Sequence, residues 1–144
     1  MFLGTFFHTV DKKNRVILPA KIISKLEKTI VISKGFDGCL ELRNLTDFEK
    51  YSNQLMQLSH NNRESRILVR QLLANAADLN IDSSNRILLP ASLLKESNIN
   101  QQIVIIGIGD KLEIWDLNSY QKFKAETDKT YEDIAEKIDQ KYAK

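Results

Sequence analysis

The period of the apolar positions changes several times along the chain, and each change marks an element. From Leu3 to Val10 the chain is rich in Phe and Thr and reads as a strand. Asp11-Lys12-Lys13-Asn14 is polar and reads as a turn, because Asp accepts nearby backbone N–H groups and Asn tolerates positive φ. Arg15 to Leu18 then reads as the return strand of a hairpin. Pro19 suits the first turn of a helix, where its missing N–H is no loss. Ile22, Ile23 and Leu26 fall at helical spacing, which predicts a helix over Ala20 to Glu27. Residues 30–33 read as a strand, Gly35 and Gly38 bracket a turn, and Cys39 to Leu42 is the next strand.

The same order recurs. Residues 10–20 read VDKKNRVILPA and residues 81–91 read IDSSNRILLPA, so at an offset of 71 Asp11 matches Asp82, Asn14-Arg15 matches Asn85-Arg86, and Leu18-Pro19-Ala20 matches Leu89-Pro90-Ala91. Farther on, Ile30-Val31-Ile32 resembles Ile103-Val104-Ile105, Leu40-Glu41-Leu42 resembles Leu112-Glu113-Ile114, and Phe48 falls opposite Tyr120. The second copy predicts a turn over Asp82 to Asn85, a helix over Pro90 to Ser97, and strands near 103–108 and 111–115. A unit of roughly 45–50 residues buries too little surface to stand comfortably alone, so the two copies are expected to share one pseudo-symmetric core.

Helices fill the remainder. Thr46 and Glu49 read as a capping box ahead of Phe48, Tyr51, Leu55 and Leu58. Ser59 to Asn62 is a linker, and residues 63–77 form an amphipathic helix with Leu68, Leu72 and Ala76 on one side. Two more helices are expected near 119–126 and 131–142. The last has Thr130 and Asp133 as its cap signal and Tyr131, Ile134, Ile138 and Tyr142 on one stripe. The fold class is thus α+β. Its expected organisation is a first half over 1–50, connecting helices over 51–77, a second half over 78–120 and a C-terminal helical segment over 121–144.

The 144 residues carry 21 basic and 19 acidic groups, a net charge of +2 that does not announce a polyanion partner. The distribution changes that picture. Residues 1–35 hold seven basic side chains against two acidic ones, a net +5, whereas residues 102–144 hold seven against nine. A basic end raises the local concentration of nucleic acid. The longest apolar run, about Ile103 to Ile108, is far short of the roughly 18–20 residues of a membrane span, so no membrane partner is expected. The start MFLGTFFHTV has no basic n-region and no small-residue cleavage site, so no signal peptide is expected. The single cysteine, Cys39, excludes an intrachain disulfide and suits a reducing cytosol.

The repeated D-x-x-x-R turn is the candidate chemistry. A loop tip presents Arg15 and Arg86, and arginine's planar fork of donors matches phosphate or the O6/N7 edge of guanine. Asp11 and Asp82 read as partners that fix the turn, though a pairing of Asp with Arg also offers a purely structural account of the arginines. Lys12 and Lys13 make the first turn electropositive; Ser83 and Ser84 leave the second neutral, able to donate hydrogen bonds without long-range attraction. Arg63, Arg66 and Arg70 share one helix face, which reads as a solvated face, a contact to a neighbouring subunit or a second nucleic-acid surface. A helix-turn-helix over 47–77 is disfavoured, since its linker has no glycine. His8 reads as a half-buried strand residue and Cys39 as a small core hydrophobe. With His8 and His60 the only histidines and no glycine-rich phosphate loop, no catalytic residues, metal ligands or cofactors are expected, and the chain is not read as an enzyme.

On the start MFLGTFFHTVDKKNRVILPAKI, the second DSSNRILLPASL and the total length, the chain resembles the MraZ family over essentially its whole extent. The resemblance implies the AbrB-like swapped-hairpin class, in which two half-units intertwine into a small β-barrel, here with both halves in one chain. It implies a sequence-specific, double-stranded-DNA-binding transcriptional regulator of the bacterial division and cell-wall gene cluster. Such a protein works in the cytoplasm on the nucleoid and binds short direct repeats upstream of its own operon. It also implies a homo-oligomeric ring, usually an octamer. The DNA-facing motif then falls on Lys13, Asn14 and Arg15 and on Asn85 and Arg86, and Lys12 and Ser84 beside them are expected to join the DNA contact. The serine pair departs from the basic first turn. The competing reading is an oligomeric scaffold in which the loops are assembly contacts. An antitoxin-like role predicts a C-terminal segment disordered on its own, against which the helical pattern after residue 116 argues.

Overall fold

The structure, a computed structural model, describes residues 1–142. The elements run β1 (Phe2–Thr9), β2 (Arg15–Ile17), α1 (Ala20–Ile23), β3 (Thr29–Lys34), β4 (Leu40–Asn44), α2 (Leu45–Met56), α3 (Arg63–Asn75), β5 (Ala77–Asn80), β6 (Arg86–Leu88), α4 (Ala91–Glu96), β7 (Gln102–Gly109), β8 (Leu112–Asp116), α5 (Leu117–Asp128) and α6 (Tyr131–Tyr142). The fold is therefore mixed helix and sheet, with the order of elements given twice.

The strand pairing exchanges the halves. The main sheet has the order β1-β7-β8-β4-β3-β5, and β2 pairs with β6 in a separate two-stranded ribbon. β1 of the first half lies against β7 of the second, and β5 of the second half lies against β3 of the first. Two pairings cross the pseudo-symmetry directly. In the ribbon Val16 faces Ile87, its own counterpart; between β4 and β8 Glu41 faces Glu113. The ribbon thus corrects the expected hairpin: Arg15 to Leu18 does not return along β1 but crosses to β6. All ladders are antiparallel, and β1 and β5 end the six-stranded order.

The inner face of the sheet forms one core. Ile30, Ile32, Leu40, Leu42, Ile103, Ile105, Leu112 and Ile114 meet Val16 and Ile87 from the ribbon and Ile22 and Leu93 from the short helices. Burying this many branched apolar side chains, at about 1.5–3 kcal/mol each relative to exposure, is what makes two small units viable as one. On the outer face Val31 packs with Phe48 of α2 and Leu72 of α3, and Val104 packs with Cys39 and Trp115.

Two local expectations fail for one tertiary reason. The helix after Pro19 ends at Ile23 rather than Glu27. Asn44 reaches back across the chain, its side-chain oxygen accepting from the Glu27 N–H at 2.7 Å and its amide donating to the Lys25 carbonyl at 3.0 Å. Those groups are drawn out of a helical ladder. Thr46 does not form a capping box either: α2 starts at Leu45 after Asn44, and the Thr46 N–H and hydroxyl both donate to the Glu27 carboxylate, at 3.0 and 2.7 Å. A side chain from the loop between α1 and β3 thereby supplies the anion at the α2 N-terminus. At the far end the Thr130 hydroxyl donates to the Thr127 carbonyl instead of capping toward Asp133.

Candidate nucleic-acid interface

Each D-x-x-x-R loop is held by its aspartate. Asp11 Oδ1 accepts from the backbone N–H of Lys13 at 2.9 Å and of Arg15 at 2.8 Å, while Oδ2 accepts from Arg15 Nε at 2.9 Å. Asp82 does the same with Ser84, Arg86 and Arg86 Nε, at 2.8, 2.9 and 3.0 Å. Backbone bonds close both turns: Asn14 N–H donates to the Asp11 carbonyl and Asp11 N–H to the Arg15 carbonyl, with the matching pair at Asn85, Asp82 and Arg86. Asn14 and Asn85 sit at φ of 62° and 60°, the left-handed region that Asn tolerates better than β-branched residues. Their carbonyls then join loop to ribbon crosswise, Asn14 accepting from Leu89 N–H at 2.8 Å and Asn85 from Leu18 N–H at 2.9 Å.

This geometry divides labour within each motif. Aspartate takes only the Nε edge of the guanidinium, so the Nη donors remain for a ligand while the arm is fixed in direction. Lys12, Lys13, Ser83, Ser84 and Asn85 are exposed around the tips, and Arg15, Arg86 and Asn14 are half-exposed. A preset arginine loses less rotamer freedom on binding than a free one.

The ribbon brings the two loops together. Arg15 lies opposite Leu88 and Ile17 opposite Arg86, two positions or roughly 7 Å farther along the strands. Val16 and Ile87 point into the core, so by alternation Arg15, Ile17, Arg86 and Leu88 share the outward face. Ile17 and Leu88 are 57% and 59% exposed. The sequence reading singles out neither: Ile17 is only part of the expected return strand, and Leu88 has no role in it. The only available signal was alternation, since each stands two residues after its motif arginine.

The other candidates lie elsewhere. Arg63, Arg66 and Arg70 are on α3, whose Leu72 packs on the outer face of the sheet, so the sheet separates them from the ribbon. Arg66 Nη1 donates to the His60 carbonyl at 2.8 Å. His8 is half-buried, and desolvation lowers its pKa. Cys39 is buried; burial first, then the nearby Glu113 and Glu41, push its thiol well above the ordinary range. Among the described residues no group of three or more His, Cys, Asp and Glu side chains is placed to hold a metal ion, and no helix is long and apolar enough to cross a membrane.

The loop aspartates carry a pH signature. Backbone donation by Arg15 to Asp11, and by Arg86 to Asp82, is the leading cause that holds both carboxyls below the ordinary 3.8. A depressed acid stabilises the folded loop at pH above its unfolded value and ceases to do so as pH falls through the folded one. Carboxyl-carbon NMR titration is expected to give both groups midpoints below 3.8, with the Lys13, Ser84, Arg15 and Arg86 amide shifts moving in the same step. Midpoints at or above the ordinary value contradict the fixed loop.

Comparison with known proteins places the chain among relatives of one kind. The family model described as "MraZ protein, putative antitoxin-like" matches twice, over residues 1–71 and 72–141. A protein of Mycoplasmoides gallisepticum named "Transcriptional regulator MraZ" is 41% identical over 139 residues, spanning 96% of this chain and 98% of its own length. Proteins of the same name from Mesoplasma florum and Ureaplasma parvum are 42% and 36% identical, over 96% of this chain and 95% and 97% of their own lengths.

Proposed function

The chain belongs to the MraZ family of transcriptional regulators, and on that footing we propose that it binds double-stranded DNA through the ribbon face and its two loops, at short direct repeats upstream of its own operon in the division and cell-wall cluster. The observation that carries this reading is the pair of aspartate-fixed arginines on one exposed two-stranded ribbon. A two-stranded antiparallel ribbon fits the roughly 12 Å width of the DNA major groove. The Nη donors of Arg15 and Arg86 suit guanine O6 and N7 or phosphate. Lys12 and Lys13 supply salt-dependent attraction, and Ser84 and Asn85 offer hydrogen bonds at the second loop. Ile17 and Leu88, between the arginines, suit the thymine methyl group, the one apolar feature of the groove.

Copies of the chain in a ring present the same face repeatedly, and boxes about 10 bp apart bring successive faces onto one side of the duplex. Each box adds affinity without new contacts, because later steps are effectively intramolecular. The protein then acts in the cytoplasm, on the nucleoid.

Fluorescence-anisotropy titration with three duplexes tests the reading: the natural upstream sequence, a scrambled one, and the natural one with deoxyuridine replacing thymidine in the boxes. The natural duplex is expected to bind at least ~1000-fold tighter than the scrambled one, in the range of specific recognition. Removing the methyl groups is expected to cost several-fold. Equal affinity for natural and scrambled DNA sinks the proposed function; equal affinity for thymidine and deoxyuridine duplexes removes Ile17 and Leu88 from it.

A further inference from the structure

The repeat contains its own template for how a second helix covers this sheet. In the first half α3 comes back after α2 and sets Leu72 against Val31 of β3 and Phe48 of α2, next to the point where β3 meets β5. The equivalent ground in the second half is β7 where it meets β1. There Leu3, Thr5 and Phe7 alternate on the outer face, and the register sets Leu3 beside Ile108 and Thr5 beside Ile106. Leu3 and Phe7 are 65% and 66% exposed. β1 is also an edge strand, and a long apolar edge left open is a site for another chain.

The helix equivalent to α3 is α6, and among the described residues nothing buries it. Tyr131, Ile134, Ile138 and Tyr142 form one stripe at helical spacing, and none of them is buried. An exposed twelve-residue helix is marginal in water on propensity alone, so its apolar stripe implies a surface that covers it. A bare face and a bare helix thus remain at the two positions that pack together in the first half.

The link between helices decides whose helix fills the gap. Six residues, 57–62, separate α2 from α3 and allow the reversal. Only Lys129 and Thr130 separate α5 from α6, in a tight turn where Thr130 N–H donates to the Thr127 carbonyl at 3.0 Å and Ile134 N–H opens α6 by donating to the Thr130 carbonyl at 2.8 Å. No residue of α6 is buried, so α6 does not fold back over its own β7 as α3 does over β3.

We infer that α6 of one copy packs its Tyr131–Ile134–Ile138–Tyr142 stripe on the β1–β7 face of a neighbouring copy, in the place that α3 takes within the chain. The two contacting surfaces are different parts of the molecule, so the contact is heterologous, and such contacts close into a ring when the rotation between copies allows. The inference deepens the ring part of the proposed function and is independent of its DNA part.

Two variants and their mixture test it by size-exclusion light scattering. Ile134→Ser with Ile138→Ser removes the donor stripe; Leu3→Ser with Phe7→Ser removes the acceptor face. Each is expected to reduce the wild-type oligomer to the 16.6 kDa single chain. The first is expected to leave the melting temperature within a few degrees, since α6 contributes nothing to the core. An equimolar mixture is expected to recover pairs, because one variant retains the face and the other retains the helix. A misfolded variant cannot complement, so recovery excludes general damage. A monomeric wild-type protein, a donor variant that keeps the wild-type mass, or a mixture that stays monomeric overturns the inference. If the monomeric donor variant still binds a single-box duplex, the DNA reading stands on its own; if wild type binds no DNA, that reading falls without touching this contact.

Discussion

Arg15→Ala is expected to abolish specific DNA binding while leaving the assembly and the fold in place. A bidentate arginine contact to a guanine edge is worth about 1–3 kcal/mol of discrimination. With two boxes engaged the losses combine, and the affinity for the natural duplex is expected to fall about 100-fold or more, each 1.4 kcal/mol being tenfold. Stability is expected to change little. The Asp11–Arg15 pair is at the surface, where solvent screening leaves an ion pair little net effect on stability. Arg15→Lys is the informative companion. It keeps the charge and loses both the planar fork and the Nε contact to Asp11, so non-specific binding is expected to survive while specificity does not. Lys12→Ala with Lys13→Ala is expected to do the reverse, weakening all duplexes alike and flattening the salt dependence of affinity by about one unit per lysine lost from a phosphate. Anisotropy titration at two salt concentrations, beside light scattering on the same samples, reads all of this. Unchanged affinity for the natural duplex removes Arg15 from the interface. A variant that falls apart to single chains favours the scaffold reading, in which the loops are assembly contacts.

What the sequence makes legible here is what short-range chemistry encodes. The two D-x-x-x-R loops close through bonds that span two to four residues, from Asp11 to Lys13 and Arg15, with Asn14 at positive φ. Residue types at fixed offsets suffice to read them, and their recurrence 71 residues on reveals the duplication. The exchange of strands between the halves lies at longer range. Nothing in Arg15-Val16-Ile17 separates pairing with β1 from pairing with β6; three residues hold one buried position, and Val16 finds Ile87 only because both copies are present. The true end of α1 was hidden likewise, since Leu26 fits a helical stripe until Asn44, from another strand, claims the Lys25 and Glu27 backbone groups. Ile17 and Leu88 show the same limit at the candidate site. A strand of three residues alternates too briefly for its solvent face to be told from its core face before its partner is known.

Glu41→Ala is expected to be strongly destabilising, because it strands a buried cation. Glu41 and Arg43 are 1% and 4% exposed. The Glu41 carboxylate accepts from Arg43 Nη1 at 2.7 Å and from Lys111 Nζ at 2.8 Å, and the Arg43 guanidinium lies 3.9 Å from the Tyr51 ring centroid. The second half fills the same places without an ion pair. Glu113, opposite Glu41 in the register, accepts from Trp115 Nε1 at 2.9 Å, and the Trp115 ring lies 5.1 Å from Phe123. One repeat thus uses Arg over Tyr where the other uses Trp over Phe, so the position demands a flat group on an aromatic ring and a donor to the glutamate, not a charge as such. Removing one partner of a buried pair leaves the other uncompensated, at a cost of about 3–5 kcal/mol. For a chain of this length that corresponds to a melting temperature lower by roughly 10–15 °C. Lys111, partly exposed, can turn to solvent, but Arg43 cannot. The cation is therefore the source of the damage, and Glu41→Leu with Arg43→Met is expected to recover most of the lost stability by replacing the pair with apolar volume. Calorimetric melting of the wild type and both variants decides it: a Glu41→Ala midpoint within about 3 °C of wild type, or a double variant no more stable than the single one, contradicts a stranded arginine as the cause.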